Sequence, residues 1–409
     1  MGYRFTLDDV AFLRSRQGVT ALDSTSMLDL SAASMLADIG DLRRRYGSYD
    51  GALIETVLCR RRGRARLRAA DDMLFTDDAL QQATAGAVAR HRAAEIADRF
   101  PGAVVHDVTC SIGAEVMELA ANEGISGVLG SDIDPVRLRM ARHNGSLSDR
   151  PTTIVRADAL TPTSIADVVL ADPARRSGAG RVFRLDQLTP PLLDVLTTYA
   201  GRPIAVKCAP GLDYRMLRDR FGFAGQVQIT SLDGAVREAC LWTERDGEPS
   251  RRATVLRSRP DGSVASYEIV DDGDDQESVG EVGQWIVDPD GAVVRAGLVR
   301  NYARRQGLWQ LDPQIAYLTG DDVPVGERGF RVIEATGVTE KELRKRLAAH
   351  DCGSLEILVR GLDVDPDRLR KRLKPKGSRS LTLVLTRIGR KGVGFICEAG
   401  IRFRPGTTV

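Results

Sequence analysis

Several short apolar runs in the middle of this chain end in an aspartate. The four aspartates are Asp107, Asp132, Asp158 and Asp172, and a single glycine, Gly113, lies in the turn after the first run. A carboxylate accepts hydrogen bonds from hydroxyl and amino groups of a ligand, and a glycine lets the backbone approach that ligand closely. The pattern predicts a binding site for a polar, nucleotide-like cofactor.

The segments around these residues alternate in type. Residues 104–176 read as strand, glycine turn, helix, strand, helix and two further strands, with an acidic residue at the strand ends. Such alternation predicts a parallel sheet that binds its ligand at the carboxyl ends of the strands. The predicted fold class is therefore α/β.

The glycine turn discriminates between two classes of cofactor. A dinucleotide site typically carries G-x-G-x-x-G after its first strand, because the backbone must approach a pyrophosphate. Residues 107–115 instead carry one glycine in D-x-T-C-x-x-G-x-E, and G-S-D-I-D-P, A-D-A-L and D-P-A-R-R follow in order. These segments resemble the class I S-adenosylmethionine methyltransferases, which implies a Rossmann-like sheet and S-adenosylmethionine as the cofactor.

The resemblance implies a cofactor-binding role for five residues. S-adenosylmethionine carries an ammonium, a ribose diol and an adenine but no phosphate, so one close glycine approach suffices. Gly113 would pass the methionine moiety, with Thr109 in the same turn and Asp107 facing the ammonium. Asp132 would accept both ribose hydroxyls, and Asp158 would contact the adenine amino group.

Each aspartate also has a structural alternative. Aspartate is common at strand ends because it caps helices and turns, and only the combined spacing favours a cofactor site. Asp134 competes with Asp132 for the ribose, but it precedes Pro135 and is therefore predicted to cap a helix.

The segment Asp172-Pro173-Ala174-Arg175-Arg176 follows the fourth strand, where the resemblance places the methyl acceptor. Methyltransferases acting on nucleobase nitrogens usually show Asp or Asn, two prolines and an aromatic residue here. Asp172 and Pro173 are thus the predicted catalytic residues, with Asp172 orienting the acceptor. Here Ala174 stands in place of the second proline and Arg175 in place of the aromatic residue. Arg175 and Arg176 are predicted to bind the substrate, because an arginine plane can stack on a base or pair with phosphate. The alternative for Asp172 is a turn residue at a strand end.

A further strand, residues 202–210, ends at the same rim of the sheet. Lys207 is predicted either to contact an RNA phosphate or to be a solvated lysine. Cys208 is predicted to be a small buried residue, because the motifs that surround a cysteine nucleophile in carbon-5 methyltransferases are absent.

Neither a catalytic histidine nor a metal is expected. A sulfonium is already an activated methyl donor, so the protein mainly positions the reactants and excludes water. The four histidines show no metal or triad spacing, and none of the six cysteines lies in a C-x-x-C pair. The cysteine usage is typical of a reducing cytoplasm.

The chain is long enough for two to four domains, because a domain usually has roughly 100 to 200 residues. We predict a helical region at 1–98, a methyltransferase domain at 99–247, a β-rich linking region at 248–329 and an α+β domain at 330–409. In the last of these, the sequence predicts strands at 330–334, 355–359 and 381–386, helices at 340–348 and 366–373, and a final hairpin.

The net charge is only +2, so nucleic-acid binding would depend on local patches. One patch is residues 59–68, and the other is residues 368–376 with Lys341, Arg344, Lys345 and Arg346. Both are predicted to contact phosphate, and the alternative for both is a solvated helix face.

The C-terminal region resembles the THUMP-like domain that accompanies methyltransferase domains in a bacterial family. That resemblance extends to Q-A-T, K-C-A-P and W-I-V-D-P-D-G segments and implies RNA, either tRNA or rRNA, as substrate. The leading hypothesis is an RNA base methyltransferase. The alternatives are a methyltransferase for a small molecule or protein, and a non-catalytic RNA-binding protein.

The sequence also bears on location. Charged residues are scattered through residues 1–18, and no segment approaches the roughly eighteen apolar residues of a membrane span. We expect a cytoplasmic protein without a membrane partner.

Overall fold

The computed structural model describes residues 2–175, 188–211, 214–243, 250–273 and 278–402. The chain forms two compact units that interleave along the sequence. The first comprises Met1–Gln226, Glu238–Asp246 and Ser258–Val264, and the second comprises Val227–Arg237, Gly247–Arg257 and Ala265–Val409. The predicted domain boundaries at 98, 247 and 329 stay predictions.

The first unit begins with a helical region. Its helices are α1 (Leu7–Leu13), α2 (Arg16–Ser26), α3 (Met35–Tyr46), α4 (Asp50–Gly63), α5 (Asp77–Gln82) and α6 (Gly86–Arg99), with a short 3₁₀ turn at Gly47–Tyr49. Thr6 and Asp9 form a capping box on α1, and the Thr76 side chain caps α5. Leu13, Leu53 and Phe75 are buried in a shared core, which is why the apolar spacing predicted helices here.

Strands and helices then alternate as predicted. The elements are β1 (Val104–Asp107), α7 (Ala114–Ala120), β2 (Gly127–Asp132), α8 (Pro135–Gly145), β3 (Thr153–Arg156), β4 (Val168–Ala171), β5 (Ala174–Arg175), β6 (Leu188–Thr189), α9 (Leu192–Thr198), β7 (Ile204–Cys208), α10 (Tyr214–Phe221), β8 (Gln226–Leu232) and β9 (Ala235–Trp242).

The order β7-β4-β1-β2-β3 places β1 at the centre of a parallel arrangement. Strand order reverses between β1 and β4, and ligands bind at such a switch point, outside the carboxyl ends. Every residue of β4 and β7 is buried, so these strands lie inside the sheet. β9 pairs antiparallel with β7. The predicted Rossmann-like α/β fold is confirmed.

The second unit is also mixed α/β. After β8 its elements are β10 (Arg251–Ser258), β11 (Val264–Val270), β12 (Trp285–Val287), α11 (Gly291–Arg295), α12 (Val299–Gln306), β13 (Trp309–Gln310), β14 (Leu318–Gly320), β15 (Arg328–Thr336), α13 (Glu340–Ala349), β16 (Cys352–Val359), α14 (Pro366–Leu373), β17 (Arg379–Ile388), β18 (Lys391–Glu398) and β19 (Ile401–Arg402).

The C-terminal elements follow the prediction closely. α14 has the predicted bounds, because Asp365 caps it and Pro366 begins it. β15, β18, β17 and β16 are neighbours in one sheet, and leucines of α13 and α14 belong to the same apolar core. β12 pairs with β15, so strands from the predicted linking region join this sheet. No helix among the described residues combines the length and apolar character needed to cross a membrane.

Candidate active site

A cavity of about 520 Å³ lies at the carboxyl ends of the first unit's parallel strands. It brings together six of the predicted site residues, which are Asp107, Thr109, Asp132, Asp158, Asp172 and Lys207. The size is within the range of about 300 to 1,000 Å³ that is typical of small-molecule and cofactor sites. The structure therefore gathers at one place residues that are far apart in sequence.

Gly113 shapes this cavity without lining it. The residue has φ +77° and stands immediately before α7, while its neighbours Ile112 and Ala114 line the cavity. A Cβ at this position would lie 3.3 Å from the Cβ of Ala141 on α8. Glycine is favoured because the left-handed backbone and the close approach both disfavour a side chain.

Asp132 is held rigidly at the end of β2. Its Oδ2 accepts a hydrogen bond from the Ser111 amide at 3.0 Å, and its Oδ1 accepts one from the Asp134 amide at 2.9 Å. Each carboxylate oxygen has a second lone pair, so the group can still accept hydrogen bonds from a diol.

Asp134 has the capping role that Pro135 predicted. Its Oδ1 accepts hydrogen bonds from the Val136 and Arg137 amides at 2.8 and 3.1 Å. The helix cap is confirmed, which leaves Asp132 as the ribose candidate of the two.

Asp158 follows β3 at the exposed rim of the cavity. Its Oδ1 accepts a hydrogen bond from the Leu160 amide at 2.9 Å, which fixes the local turn. Two apolar residues also line the cavity: Ile133, which follows Asp132, and Leu160, which is two residues after Asp158. Apolar walls beside acceptor oxygens suit an adenine ring with an amino group.

Asp107 is a buried acidic group of the site, with 3% of its surface exposed. Burial and the neighbouring Glu115 raise the pKa of Asp107 to about 7, although the Thr109 amide and Lys207 act to lower it. The Thr109 amide lies 3.0 Å from Oδ1. Burial makes it costly to ionise this carboxyl without a positively charged partner. A cationic ligand group bound beside it would offset that cost.

These residues together fit S-adenosylmethionine. Asp107 would offer a carboxyl to the ammonium, Asp132 to the ribose diol and Asp158 to the adenine amino group. The Gly113 turn packs closely against Ala141 of α8 and places its neighbours Ile112 and Ala114 at the cavity. When bound, the cofactor supplies a methyl group on a sulfonium, and the protein's task is to hold and orient it.

The end of the cavity at Asp172, where the resemblance predicts the methyl acceptor and which we call the acceptor end, contains an ion pair. Lys207 Nζ lies 2.5 Å from Asp172 Oδ2 and also donates to Thr84 Oγ1. The Asp172 amide donates to Thr109 Oγ1 at 2.6 Å, which ties the two turns together. Lys207 is buried, because only 9% of its side chain is exposed. The structure thus places Lys207 beside Asp172 rather than in solvent.

The remaining acceptor-side residues lie around this pair. Pro173 is buried and does not line the cavity, whereas Ala174, Pro190 and Pro191 do. The backbone of Arg175 belongs to β5. The Arg175 side chain and all of Arg176 lie outside the described part of the chain.

Comparison with known proteins decides the family. Two relatives from Mycobacterium tuberculosis, in strains H37Rv and CDC 1551, are described as uncharacterized S-adenosylmethionine-dependent methyltransferases. Each is 50% identical over 356 residues, which cover 85% of this chain and 96% of the relative. The chain belongs to the S-adenosylmethionine-dependent methyltransferases. The predicted enzyme class and cofactor are confirmed.

Two further similarities concern the fold. Residues 327–399 match the THUMP domain-like family. A Porphyromonas gingivalis W83 protein assigned as a methyltransferase has a similar crystal structure, with a TM-score of 0.73, 18% identity and coverage of 97% of this chain and 99% of that one. The methyltransferase therefore carries the C-terminal THUMP-like domain that its sequence predicted.

Sequence reasoning missed several residues of the methyltransferase site. Glu115 lies 3.8 Å from Lys207 and pairs with Arg92, which pairs also with Glu238. Thr84 contacts Lys207 from the linker between α5 and α6. Glu115 and Thr84 stand in the D-x-T-C-x-x-G-x-E and Q-A-T segments, which were a signal, but nothing local marks Arg92.

The first basic patch of the methyltransferase is used internally. Arg60, Arg61 and Arg66 donate to backbone carbonyls, and Arg62, Arg64 and Arg68 pair with acidic side chains. These contacts give residues 59–68 a structural role, and phosphate binding by this patch stays a prediction. Cys208 is buried, as predicted.

One group of side chains in the methyltransferase has metal-ligand spacing. Ligand atoms of Glu55, Cys59 and Asp77 lie within 4.8 Å of one another. The Arg62 guanidinium donates to Asp77 Oδ1 at 2.6 Å and to Cys59 Sγ at 3.2 Å. Burial raises the pKa of the Cys59 thiol to about 11. A cation already satisfies this group, and the thiol form is a poor metal ligand.

Proposed function

We propose that this methyltransferase modifies RNA, at a nucleobase of tRNA or rRNA. The observation that carries the proposal is a lysine-rich surface within the THUMP-like segment. The chain has seven lysines, and five of them lie on or just after two helices of that segment, at Lys341, Lys345, Lys371, Lys374 and Lys376. We call these five residues the lysine surface.

The lysine surface is built by the amphipathic pattern of α13 and α14. Leu343, Leu347 and Leu369 are buried in the core of the sheet, whereas all five lysines are exposed. Within the described ranges, none of the five has a carboxylate within ion-pair distance, although Arg344 and Arg372 on the same helices both pair with Glu340. Unpaired exposed ammonium groups are available to phosphates, and their binding releases counterions.

The acceptor end of the cavity supports a base as the substrate. Asp172 supplies an acceptor oxygen for an amino group, and Pro190 and Pro191 supply apolar wall. No aromatic side chain lines the cavity among the described residues, so prolines and Ala174 take the place of a stacking ring. A base would reach this cavity from a single strand or by flipping out of a helix.

The first experiment measures transfer of labelled methyl from S-adenosylmethionine to RNA from a strain that lacks this gene. Wild type should label RNA, and Asp172→Ala should not, although it still binds the cofactor in calorimetry. Label in a protein or small-molecule fraction, with RNA unlabelled, would refute the proposal. Digestion of labelled RNA to nucleosides would identify the modified base.

The lysine surface is tested by changing three of its members to glutamine. Each lost contact to a single-stranded phosphate should reduce the slope of log affinity against log salt by about 0.7, so the triple variant should lose about 2. A matched control removes three exposed arginines of the first unit by the substitutions Arg14→Gln, Arg16→Gln and Arg44→Gln. The test substitutions are Lys341→Gln, Lys371→Gln and Lys374→Gln.

Binding of RNA should be measured by fluorescence anisotropy over a range of salt concentrations. The control variant should keep the wild-type slope, and cofactor affinity should be the same in all three proteins. Equal slopes for the lysine variant and wild type would remove this surface from the RNA-binding site.

A further inference from the structure

Five charged side chains form a continuous series beneath the acceptor end of the cavity. They alternate in sign in the order Glu238, Arg92, Glu115, Lys207, Asp172. Arg92 pairs with both glutamates, Lys207 Nζ lies 3.8 Å from Glu115 Oε2, and it lies 2.5 Å from Asp172 Oδ2. We call this series the charge chain.

The charge chain is buried except at one end. At most 10% of the side chain of Glu238, Arg92, Glu115 or Lys207 is exposed, whereas 44% of Asp172 is exposed. Removing charges from water is costly, and the cost is met only where each charge has well-placed partners of opposite sign. The series therefore ends at its one substantially exposed member, Asp172, which lines the cavity.

Two members of the charge chain, Lys207 and Glu115, have pKa values shifted in favour of their charged forms. Burial acts to lower the pKa of Lys207, but Asp172 and Glu115 outweigh burial and hold the pKa above its ordinary value. Burial acts to raise the pKa of Glu115, and the charges of Arg92 and Lys207 outweigh it and hold the pKa below its ordinary value. Lys207 is accordingly a permanent cation and has no role as a general base.

Lys207 restrains one carboxylate oxygen of Asp172 and leaves the other available to a ligand. Its ammonium donates to Oδ2 of Asp172 and to Oγ1 of Thr84. In the described part of the chain, Oδ1 of Asp172 has no hydrogen-bond partner, and Asp172 lines the cavity. A carboxylate held at one oxygen and through its own amide presents its second oxygen in a defined direction.

We infer that Lys207 and Thr84 are positioning residues for the methyl transfer. They fix the Asp172 carboxylate so that its Oδ1 accepts a hydrogen bond from an N–H or O–H group of the methyl acceptor. The other members of the charge chain hold Lys207 in place. The inference rests on the role of Asp172 given above but not on RNA being the acceptor.

Thr84 offers a matched pair of substitutions. Thr84→Val removes the hydroxyl acceptor at similar volume, whereas Thr84→Ser keeps it. We expect Thr84→Val to lower kcat at least tenfold and Thr84→Ser to lower it less than threefold. The dissociation constant for S-adenosylmethionine should change less than twofold in both variants.

This assay uses as acceptor the fraction of an extract from the gene-deleted strain that the wild-type enzyme labels. Titration with the cofactor gives the number of folded binding sites in each variant. Label found only outside RNA would contradict the proposed function, but the kcat values of Thr84→Val and Thr84→Ser could still be compared with that acceptor. Equal kcat for Thr84→Val and Thr84→Ser would overturn the positioning role. So would a fall in kcat that matches a fall in the number of cofactor sites, because that is misfolding.

A second measurement needs no acceptor. The ammonium group of a buried lysine exchanges its protons slowly, and the other six lysines are exposed. In a ¹⁵N-lysine-labelled protein, the Lys207 ammonium should give a protected signal that shifts in Asp172→Asn and in Thr84→Val but not in Thr84→Ser. A signal that responds to neither Asp172→Asn nor Thr84→Val would overturn the inference.

Discussion

The charge on Asp107 should control cofactor affinity at mildly acidic pH. Burial and Glu115 raise the pKa of this carboxyl to about 7 in the ligand-free protein. The ammonium of S-adenosylmethionine should stay protonated below a pH of about 7.7, the ordinary range of an α-amino group. If this ammonium binds ionised Asp107, affinity should fall about tenfold for each pH unit below 7, which gives about 25-fold between pH 7.5 and 5.5.

Asp107→Asn isolates that effect. Asparagine keeps an oxygen for the Thr109 amide, which lies 3.0 Å from Oδ1, but it cannot ionise. The variant should bind the cofactor at least about 25-fold more weakly than wild type at pH 7.5 and should show no dependence on pH down to 5.5. Isothermal titration calorimetry in buffers of different ionisation enthalpy measures both the affinity and the proton released on binding.

Asp107→Asn should weaken cofactor binding, but it should make the folded protein increasingly stable relative to wild type as the pH rises. A carboxyl whose folded pKa is raised binds its proton more tightly in the folded state, so its contribution is full below about pH 4 and is lost as pH rises toward 7. The stability of Asp107→Asn relative to wild type should therefore increase by about 2 to 3 kcal/mol between pH 5 and 8. A difference that is constant over this range, or wild-type affinity that is flat from pH 5.5 to 7.5, would refute the reasoning.

Three other variants test the rest of the site. Asp132→Ala should weaken cofactor binding at least about 100-fold, because two charge-assisted hydrogen bonds are worth about 3 kcal/mol or more, and unchanged affinity in calorimetry would exclude it as the ribose ligand. Gly113→Ala should cost about 1 to 3 kcal/mol from its φ of +77° and the contact with Ala141, seen as a lower melting temperature; an unchanged temperature would contradict the close approach. Asn144→Ala should cost about 2 to 4 kcal/mol in chemical denaturation, since its side chain bonds Leu74 and Ile112 at 2.8 to 3.0 Å, and a cost near zero would show that water replaces these bonds.

Sequence rules predicted the structure correctly where a residue's role depends on its immediate neighbours in the chain. Asp134 caps α8 because Pro135 begins that helix, and Asp365 caps α14 for the same reason. The C-terminal strands and helices were predictable because their apolar periodicity matches one buried face.

Local rules failed where long-range partners decide. The charge of residues 59–68 is visible in sequence, but the internal contacts of Arg61 were not predictable, because the carbonyls that accept its hydrogen bonds are 32 to 35 residues away. Lys207 looked like a solvated lysine because Thr84, 123 residues away, gives no local sign of contacting it. Side chains this long can reach either solvent or an internal partner, and only the fold determines which.

The sequence by itself determined the fold class and the aspartates at the strand ends, because strand periodicity and turn chemistry are local and strand ends in a parallel sheet share one edge. The cofactor followed from the resemblance of its motifs to those of the class I methyltransferases. Only the tertiary structure decided that Asp107 is a buried carboxyl with a raised pKa and that Lys207 is paired with Asp172. Burial and charge pairing depend on which segments pack together, and that is a property of the whole fold.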